Sequence, residues 1–305
     1  MNIAVTATGG GVGQSIIKSL KGYNVIALDS DCLAAGLYMT DRHRIIPLAS
    51  DDNYISALLK VCDEENIDML FPGMDIELKK ISENGWRFKK TYPVISNSDI
   101  IELADDKYLT NQFLVKNDLP FPKTNRFSVI AKVWNMEYPY ILKPKNGGAR
   151  SKDVYFVKNE NELKKLDINL LDFVAQEYIE GDEYTCGTLT LNGKYRGCIV
   201  LRRILRDGDT YKAFVERNKT IEDLCEKICT IIKPNGAFNI QLRMRDGVPY
   251  VFEFNARCSG TTAMRALAGF NEPQMTADYI LKGIEPVYKI KDLTVLRYWN
   301  EIIKR

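Results

Sequence analysis

The sequence is poor in the residues that most often carry metal and triad chemistry. One histidine, His43, stands among 305 residues. That excludes H-E-x-x-H zinc sites and multi-histidine metal centres, and it leaves triad chemistry a single candidate base with no nucleophile signature nearby. His43 is expected to be a solvated loop residue. The seven cysteines are odd in number and include no C-x-x-C, so reduced thiols in a cytoplasmic compartment are expected rather than a disulfide framework. Cys225 and Cys229 lie four apart with Ile221, Leu224 and Ile228 on one helical face and read as packing. Charge of neither sign dominates: 42 Lys+Arg oppose 40 Asp+Glu, for a net charge of +2, with no long block of like charge. Nucleic-acid and membrane partners are therefore not expected. No apolar run approaches the roughly 18 residues that span a bilayer, and the chain enters a strand at once with no signal-like start. A chain of this length typically buries about three quarters of its unfolded surface, so it needs neither metal nor disulfide to fold.

Two nucleotide signatures are also missing or incomplete. Walker A is absent. The opening stretch MNIAVTATGGGVGQSIIKSL has the order strand, glycine turn, helix, in which backbone N–H groups and a helix N-terminus favour an anion. A G-x-G-x-x-G frame starting at Gly9 nevertheless meets Gln14 where the third glycine belongs. Asp29, at the end of VIALD, stands where an acidic residue could hold a ribose. A dinucleotide-dependent oxidoreductase is one reading of this stretch, and a plain strand-to-helix turn is the other.

Up to residue 97 the pattern alternates strand and helix: NIAVTA, VGQSIIKSL, NVIALD, RIIPLA, a helix over about 52–64, DMLFPG, a helix over about 75–84, and YPVIS. Ile55, Leu58, Leu59 and Cys62 recur at the spacing of a stripe that packs on a sheet. The reading is a doubly wound parallel-sheet α/β domain over 1–97. Two short helices follow, with caps available from Ser98 and Asp105 and stops at Pro120 and Pro122. From about 124 the chain turns to hairpins, an α+β style. Asp246-Gly247 is a two-residue hairpin turn signal.

Chemistry collects in three places. In YPYILKPKNGGARSKDVYFV a lysine ends a strand before a glycine-containing loop, which can offer a polyphosphate one fixed charge and several N–H groups. In QEYIEGDEYTCGTL an exposed strand edge can imitate base pairing to adenine, and Glu183 can accept from ribose hydroxyls. In NIQLRMRDGVPYVFEFNARCSGTT the alternation of a hairpin brings Gln241, Glu253 and Asn255 to one face. Three hard oxygen donors there suit Mg²⁺, and polar groups in so apolar a run need a partner.

The order of these elements, from Asp106-Lys107 through Lys143, Gln176 to Glu183, and Gln241, Glu253, Asn255 and Arg257, resembles the ATP-grasp superfamily over almost the whole chain. NARCSGTTAMRALAG looks most like the synthetase domains of the carbamoyl phosphate synthase large subunit and their stand-alone relatives. The resemblance implies a pre-ATP-grasp domain before an ATP-grasp domain of two α+β lobes, a small one with linking helices over 98–175 and a large one with the metal site over 176–305, with ATP and Mg²⁺ as cofactors and Mn²⁺ as a substitute. It implies Lys107 and Lys143 on the phosphates, beneath a closing 146–152 loop with Gly147, Gly148 and Ser151. Glu177 and Ile179 would meet adenine through their backbone, with Gln176 beside it, Glu183 on the ribose, and Gln241, Glu253 and Asn255 on the metal. Arg257, Lys143 and Arg150 would be catalytic. The loop departs from the family in reading GGARSKD, and the chain holds one synthetase copy rather than two, which argues against carbamoyl phosphate synthesis itself.

The implied activity is ligation of a small carboxylate, activated as an acyl phosphate, to an amine, with amino acids among the expected substrates and a homodimer as the expected assembly. The alternatives are phosphotransfer without ligation and a catalytically weak ATP-binding regulatory protein. For the acceptor substrate the candidates are Gly10 and Gly11, Asp75 and Glu77 beyond a strand of the first domain, and Ser259 and Arg265. Capping of a helix is the competing role of Asp75, and Cys258 is expected to be packed.

Overall fold

The computed structural model describes residues 1–126, 136–147 and 152–304. The first sheet is parallel, in the order β3-β2-β1-β4-β5, from β1 (Asn2–Val5), β2 (Asn24–Asp29), β3 (Arg42–Ile45), β4 (Met69–Phe71) and β5 (Tyr92–Pro93). Helices α1 (Gly11–Ser19), α2 (Tyr54–Glu64) and α3 (Asp75–Glu83) are its crossovers. Alternation along the strands splits the core between two faces. Ile26 and Leu28 pack with Leu58, Cys62 and Ile81 on one, while Ile3, Val5 and Phe71 pack with Ile16 and Ile17 on the other. His43 lies within β3, its ring 5.3 Å from that of Tyr38, and not in a loop as its surroundings in sequence predict.

The helices α4 (Ser98–Asp105) and α5 (Lys107–Lys116) lead to a second, antiparallel sheet of order β6-β9-β7-β8. Its strands are β6 (Thr124–Arg126), β7 (Tyr140–Pro144), β8 (Tyr155–Val157) and, after α6 (Glu160–Lys164), β9 (Phe173–Glu177). The cap between the linking helices is Asp106, whose carboxylate accepts from Tyr108 N at 2.8 Å and Leu109 N at 3.1 Å. The sequence points to Asp105, one residue earlier, but that carboxylate instead accepts from Gly147 N at 3.0 Å.

The third sheet, of order β14-β13-β10-β11-β12-β15, is antiparallel. It comprises β10 (Asp182–Leu191), β11 (Lys194–Arg206), β12 (Asp209–Glu216), β13 (Gly236–Arg245), β14 (Val248–Asn255) and β15 (Thr294–Leu296). Helix α7 (Lys219–Ile232) buries Ile221, Leu224, Cys225, Ile228 and Cys229 against one face of it. The opposite face changes character along its length. Leu189, Ile199, Leu201 and Ala213 form a core with α8 (Thr262–Leu267) and α9 (Glu272–Lys282), and the same face then turns polar. Asp246 and Gly247 both have positive φ, 52° and 78°, the two-residue turn that Asp-Gly favours.

Helix α9 also closes the first sheet. Ala277 joins its core, Tyr23 donates to Asp278 Oδ1 at 2.7 Å, and Ser15 donates to the carbonyl of Gly260 at 3.1 Å. The carboxyl ends of the parallel strands thereby face the polar part of the third sheet. Among the described residues, no helix is long and apolar enough to cross a membrane.

Candidate active site

A cavity of about 690 Å³ lies where the three sheets meet, within the usual range of small-molecule sites. The glycine turn and Gly73–Asp75 line one end, Lys107, Lys143 and Gly147 another part, and the polar strands of the third sheet its floor.

Lys143, on β7, is almost fully buried. Its ammonium donates to Gln176 Oε1 at 2.8 Å and to the carbonyl of Phe252 at 3.2 Å. Burial lowers its pKa to about 7, while the negative charge of Glu253 works in the opposite direction. Gln176 is locked at both ends, since its amide nitrogen donates to Thr124 Oγ1 at 2.9 Å. Lys107 donates to the carbonyl of Gly147 at 2.6 Å, which ties the start of the glycine loop to α5. Gly148, Arg150 and Ser151 lie outside the described residues.

Glu177 and Ile179 line the cavity. The amide of Glu177 donates to Lys123 O at 2.8 Å and is therefore committed to the chain's own backbone pairing, and the carbonyl of Ile179 accepts from Arg243 at 3.3 Å. Glu183 is clamped by two arginines. Arg203 contacts Oε1 through Nε and Nη2 at 2.9 and 2.6 Å, and Arg243 contacts Oε2 through its own pair at 3.1 and 2.6 Å. Burial alone would raise the pKa of this carboxyl, but the two guanidiniums outweigh it and hold the group below the usual range.

Gln241, Glu253 and Asn255 converge. The Gln241 amide nitrogen lies 3.1 Å from Glu253 Oε1 and 3.0 Å from Asn255 Oδ1, and Asn255 donates to Glu253 at 3.1 Å. A β-bulge makes this possible. Leu242 pairs with Val251 and Gln241 with Glu253, so Phe252 is the extra residue, and both Phe252 and Glu253 border the cavity while Val251 stays in the core. One carboxylate and two amide oxygens within a few ångströms, bordered by the lysine end of the cavity, are the hard donor set that Mg²⁺ accepts, so the residues fit that ion.

At the other end Arg257 spans the cleft, donating to Asp75 Oδ2 at 2.5 Å and to Cys258 O at 2.8 Å. Among the described residues its buried Nε has no hydrogen-bond partner. Gly9 to Val12 border the same end. Gly13 is required by close packing, since a Cβ there would lie 2.6 Å from Ala7 O, whereas Gly11 has open space. Asp29 closes this turn by accepting from Gly9 N at 2.7 Å, so it is a strut of the turn rather than the ribose acceptor its position predicts. Ser259 borders the cavity with its hydroxyl engaged by Arg265 at 2.9 Å and Thr261 at 2.8 Å.

Two expected acceptor residues do not line the cavity. Glu77 turns inward, accepting from Thr6 Oγ1 at 2.7 Å, Tyr54 OH at 2.9 Å and the amides of Gly73 and Met74 at 3.0 Å. Four donors from three segments make it a post under the Gly73–Asp75 turn. Arg265 is wholly buried, paired with Glu272 at 2.6 Å and bonded to Asn239, Ser259, Thr261 and Thr262. Conversely, Arg203, Arg243 and Arg297 border the cavity without having been expected there. Alternation along β11 and β13 carried the signal for the first two, since Arg203 shares a face with Leu201 and Arg243 with Gln241. Arg297, which follows β15, donates to the carbonyl of Gly260, and no local pattern foretells that contact.

Residues 169–301 match the family model described as ATP-grasp in the biosynthetic pathway with Ter operon, and residues 3–95 match the PylC-like N-terminal domain. A D-alanine--D-alanine ligase A of Bacillus cereus is 29% identical over 136 residues, covering 39% of this chain and 44% of that protein. A carbamoyl-phosphate synthase of Methanobrevibacter smithii is 25% identical over 264 residues, 79% of this chain and 69% of the other. The chain spans about half the length of the ligases it matches. The structure of N5-carboxyaminoimidazole synthetase from Staphylococcus aureus complexed with ADP superposes with a TM-score of 0.70 at 17% identity, covering 97% of this chain and 93% of that one, so the two share a fold. An ATP-grasp family model thus covers residues 169–301, behind a PylC-like N-terminal match over residues 3–95.

Proposed function

We propose that the chain is an ATP-dependent carboxylate-amine ligase whose active site is this cavity. The observation that carries the reading is the meeting in one cleft of two lysines beside a glycine loop, an oxygen-donor trio, and an arginine-carboxylate pair at a glycine turn. The ADP complex of the shared fold and the ligase named among the relatives support it.

In this reading Lys107 and Lys143 hold the polyphosphate, Glu177 and Ile179 border the adenine, and Glu183 takes the ribose. Gln241, Glu253 and Asn255 would hold Mg²⁺. The bound ion supplies positive charge that neutralises the polyphosphate. A substrate carboxylate oxygen attacks the γ-phosphorus, the bond to the β-phosphate oxygen breaks, and ADP leaves. The acyl phosphate is then attacked at carbon by an amine, which loses a proton as phosphate departs. Arg257 faces the developing negative charge, and fixed cations of this kind carry much of phosphoryl-transfer catalysis. Gly10 and Gly11 with Asp75 form the acceptor end, where Asp75 is suited to an ammonium and the turn to a carboxylate. Amino acids therefore head the substrate panel.

The test is phosphate release across amino acids and small carboxylates, with and without an added amine. Ligation requires release that depends on both partners. ADP formation with no amine dependence indicates phosphotransfer alone, and nucleotide binding without turnover on any substrate indicates a binding protein.

A further inference from the structure

The clamp on Glu183 has a chemical consequence. An ionised carboxylate offers about four lone-pair positions. Arg203 and Arg243 place four N–H groups on Glu183, two on each oxygen, at 2.6 to 3.1 Å. No position is left for a ribose hydroxyl until a guanidinium withdraws. The two arginines are not equally free to do so. Arg243 also donates to Ile179 O and to Tyr178 OH, at 3.3 and 3.4 Å, which anchors it to the segment that follows β9. Arg203 has one further partner, Gln241 Oε1, at 2.6 Å. That oxygen belongs to the donor trio, so the guanidinium sits on the atom a cation would need. Among the described residues Arg203 Nη1 has no hydrogen-bond partner, and the residue borders the cavity.

Resting on the nucleotide reading of the cavity, we infer that Arg203 is a movable phosphate ligand. When nucleotide enters, its guanidinium leaves Glu183 and Gln241, frees one carboxylate oxygen for the ribose and one amide oxygen for the cation, and pairs with the polyphosphate as a third positive group beside Lys107 and Lys143. The exchange conserves charge contacts: the guanidinium trades a carboxylate and an amide for phosphate oxygens, to which planar bidentate pairing is well suited. No bond is made or broken. Withdrawal from one side of Glu183 leaves Arg243 in place, so the carboxylate stays ionised and oriented while it accepts the ribose. Lysine could supply the charge but not the fork that now bridges Glu183 and Gln241.

The proposal is tested by calorimetric titration of ADP with Mg²⁺, and separately of adenosine, into the wild-type chain, Arg203→Met and Arg203→Lys. Arg203→Met is expected to weaken ADP binding by about tenfold or more, the worth of a hydrogen bond to a charged group, while adenosine binds as well as before or better because Glu183 is already open. Arg203→Lys should fall between the two for ADP. Equal weakening of ADP and adenosine would mean that Arg203 only props Glu183, and unchanged ADP binding would mean that it never reaches the phosphates. Either result overturns the inference while leaving the nucleotide site standing. A wild-type chain that binds neither ligand overturns the nucleotide reading itself. Thermal unfolding of each variant, expected within a few degrees of wild type, reports whether the titrated protein is folded.

Discussion

Arg257 and Arg265 stand eight residues apart in NARCSGTTAMRA, and each is buried against a carboxylate. Their surroundings differ in kind. The side chain of Arg265 is 1% exposed and that of Glu272 0%, and every partner of Arg265 belongs to the turn, helices and sheet around it. Arg257 is 12% exposed, and its partner Asp75, at 34%, belongs to the other side of a cavity. Burial and pairing alone therefore do not mark a functional arginine. A pair that borders a cavity, with one member wetted, can open to admit a ligand, whereas a sealed pair of charges can only hold the fold together.

The largest effect is expected at the sealed pair. Arg265→Met leaves the Glu272 carboxylate buried and uncompensated, at a cost of about 3–5 kcal/mol, and Arg265→Met with Glu272→Met should recover most of it because apolar side chains replace buried ion pairs at little cost. Urea unfolding measures both. Unimpaired stability together with lost ligand binding in the single variant would erase the distinction between the two arginines.

At the open pair, Arg257→Met should lower kcat by about 100-fold while the unfolding midpoint moves little, since Asp75 can be solvated. Lys143→Ala and Glu253→Ala should each lower kcat by about the same factor or more. Near-normal turnover in these variants would remove the cavity as the active site.

Glu77 sharpens the contrast from the acidic side, because it was expected beside Asp75 in function and differs from it in burial. Glu77→Ala should cost about 1–3 kcal/mol of stability through the donors it leaves unsatisfied, with Glu77→Gln losing less. Asp75→Asn, by contrast, should show its effect in substrate affinity rather than in unfolding.

The smallest signal is a proton. Burial, opposed by Glu253, lowers the pKa of Lys143 to about 7. The ammonium is therefore charged below pH 7 and increasingly neutral above it. A polyphosphate favours the charged form, so nucleotide binding should take up about one proton at pH 8 and almost none at pH 6. Calorimetry in buffers of different ionisation enthalpy measures the uptake, which Lys143→Met should abolish.

Much of this organisation was legible because it is periodic or local. The strand-helix alternation of the first domain, the packed Cys225 and Cys229, and the Asp246-Gly247 turn follow from spacing and residue type. Alternation puts Glu253 and Asn255 on one face, but Gln241 joins them only through the bulge at Phe252, since unbroken pairing from the Asp246-Gly247 turn would set Gln241 opposite Phe252. A bulge leaves no mark in so apolar a run. Glu77 and Arg265 carried the residue types of a binding site. Only tertiary packing reveals that Thr6 and Tyr54 claim the one and Glu272 the other. Arg297 was hidden for the converse reason, because its partner Gly260 lies on a segment distant in sequence.

The account depends most on the cavity being a nucleotide site built around Lys143. Titration of ADP with Mg²⁺ into the wild-type chain and Lys143→Ala tests that directly. Saturable binding at one site per chain, weakened at least about tenfold by the substitution, is the expected result. Absence of binding to the wild-type chain, or equal binding to both proteins, would contradict it.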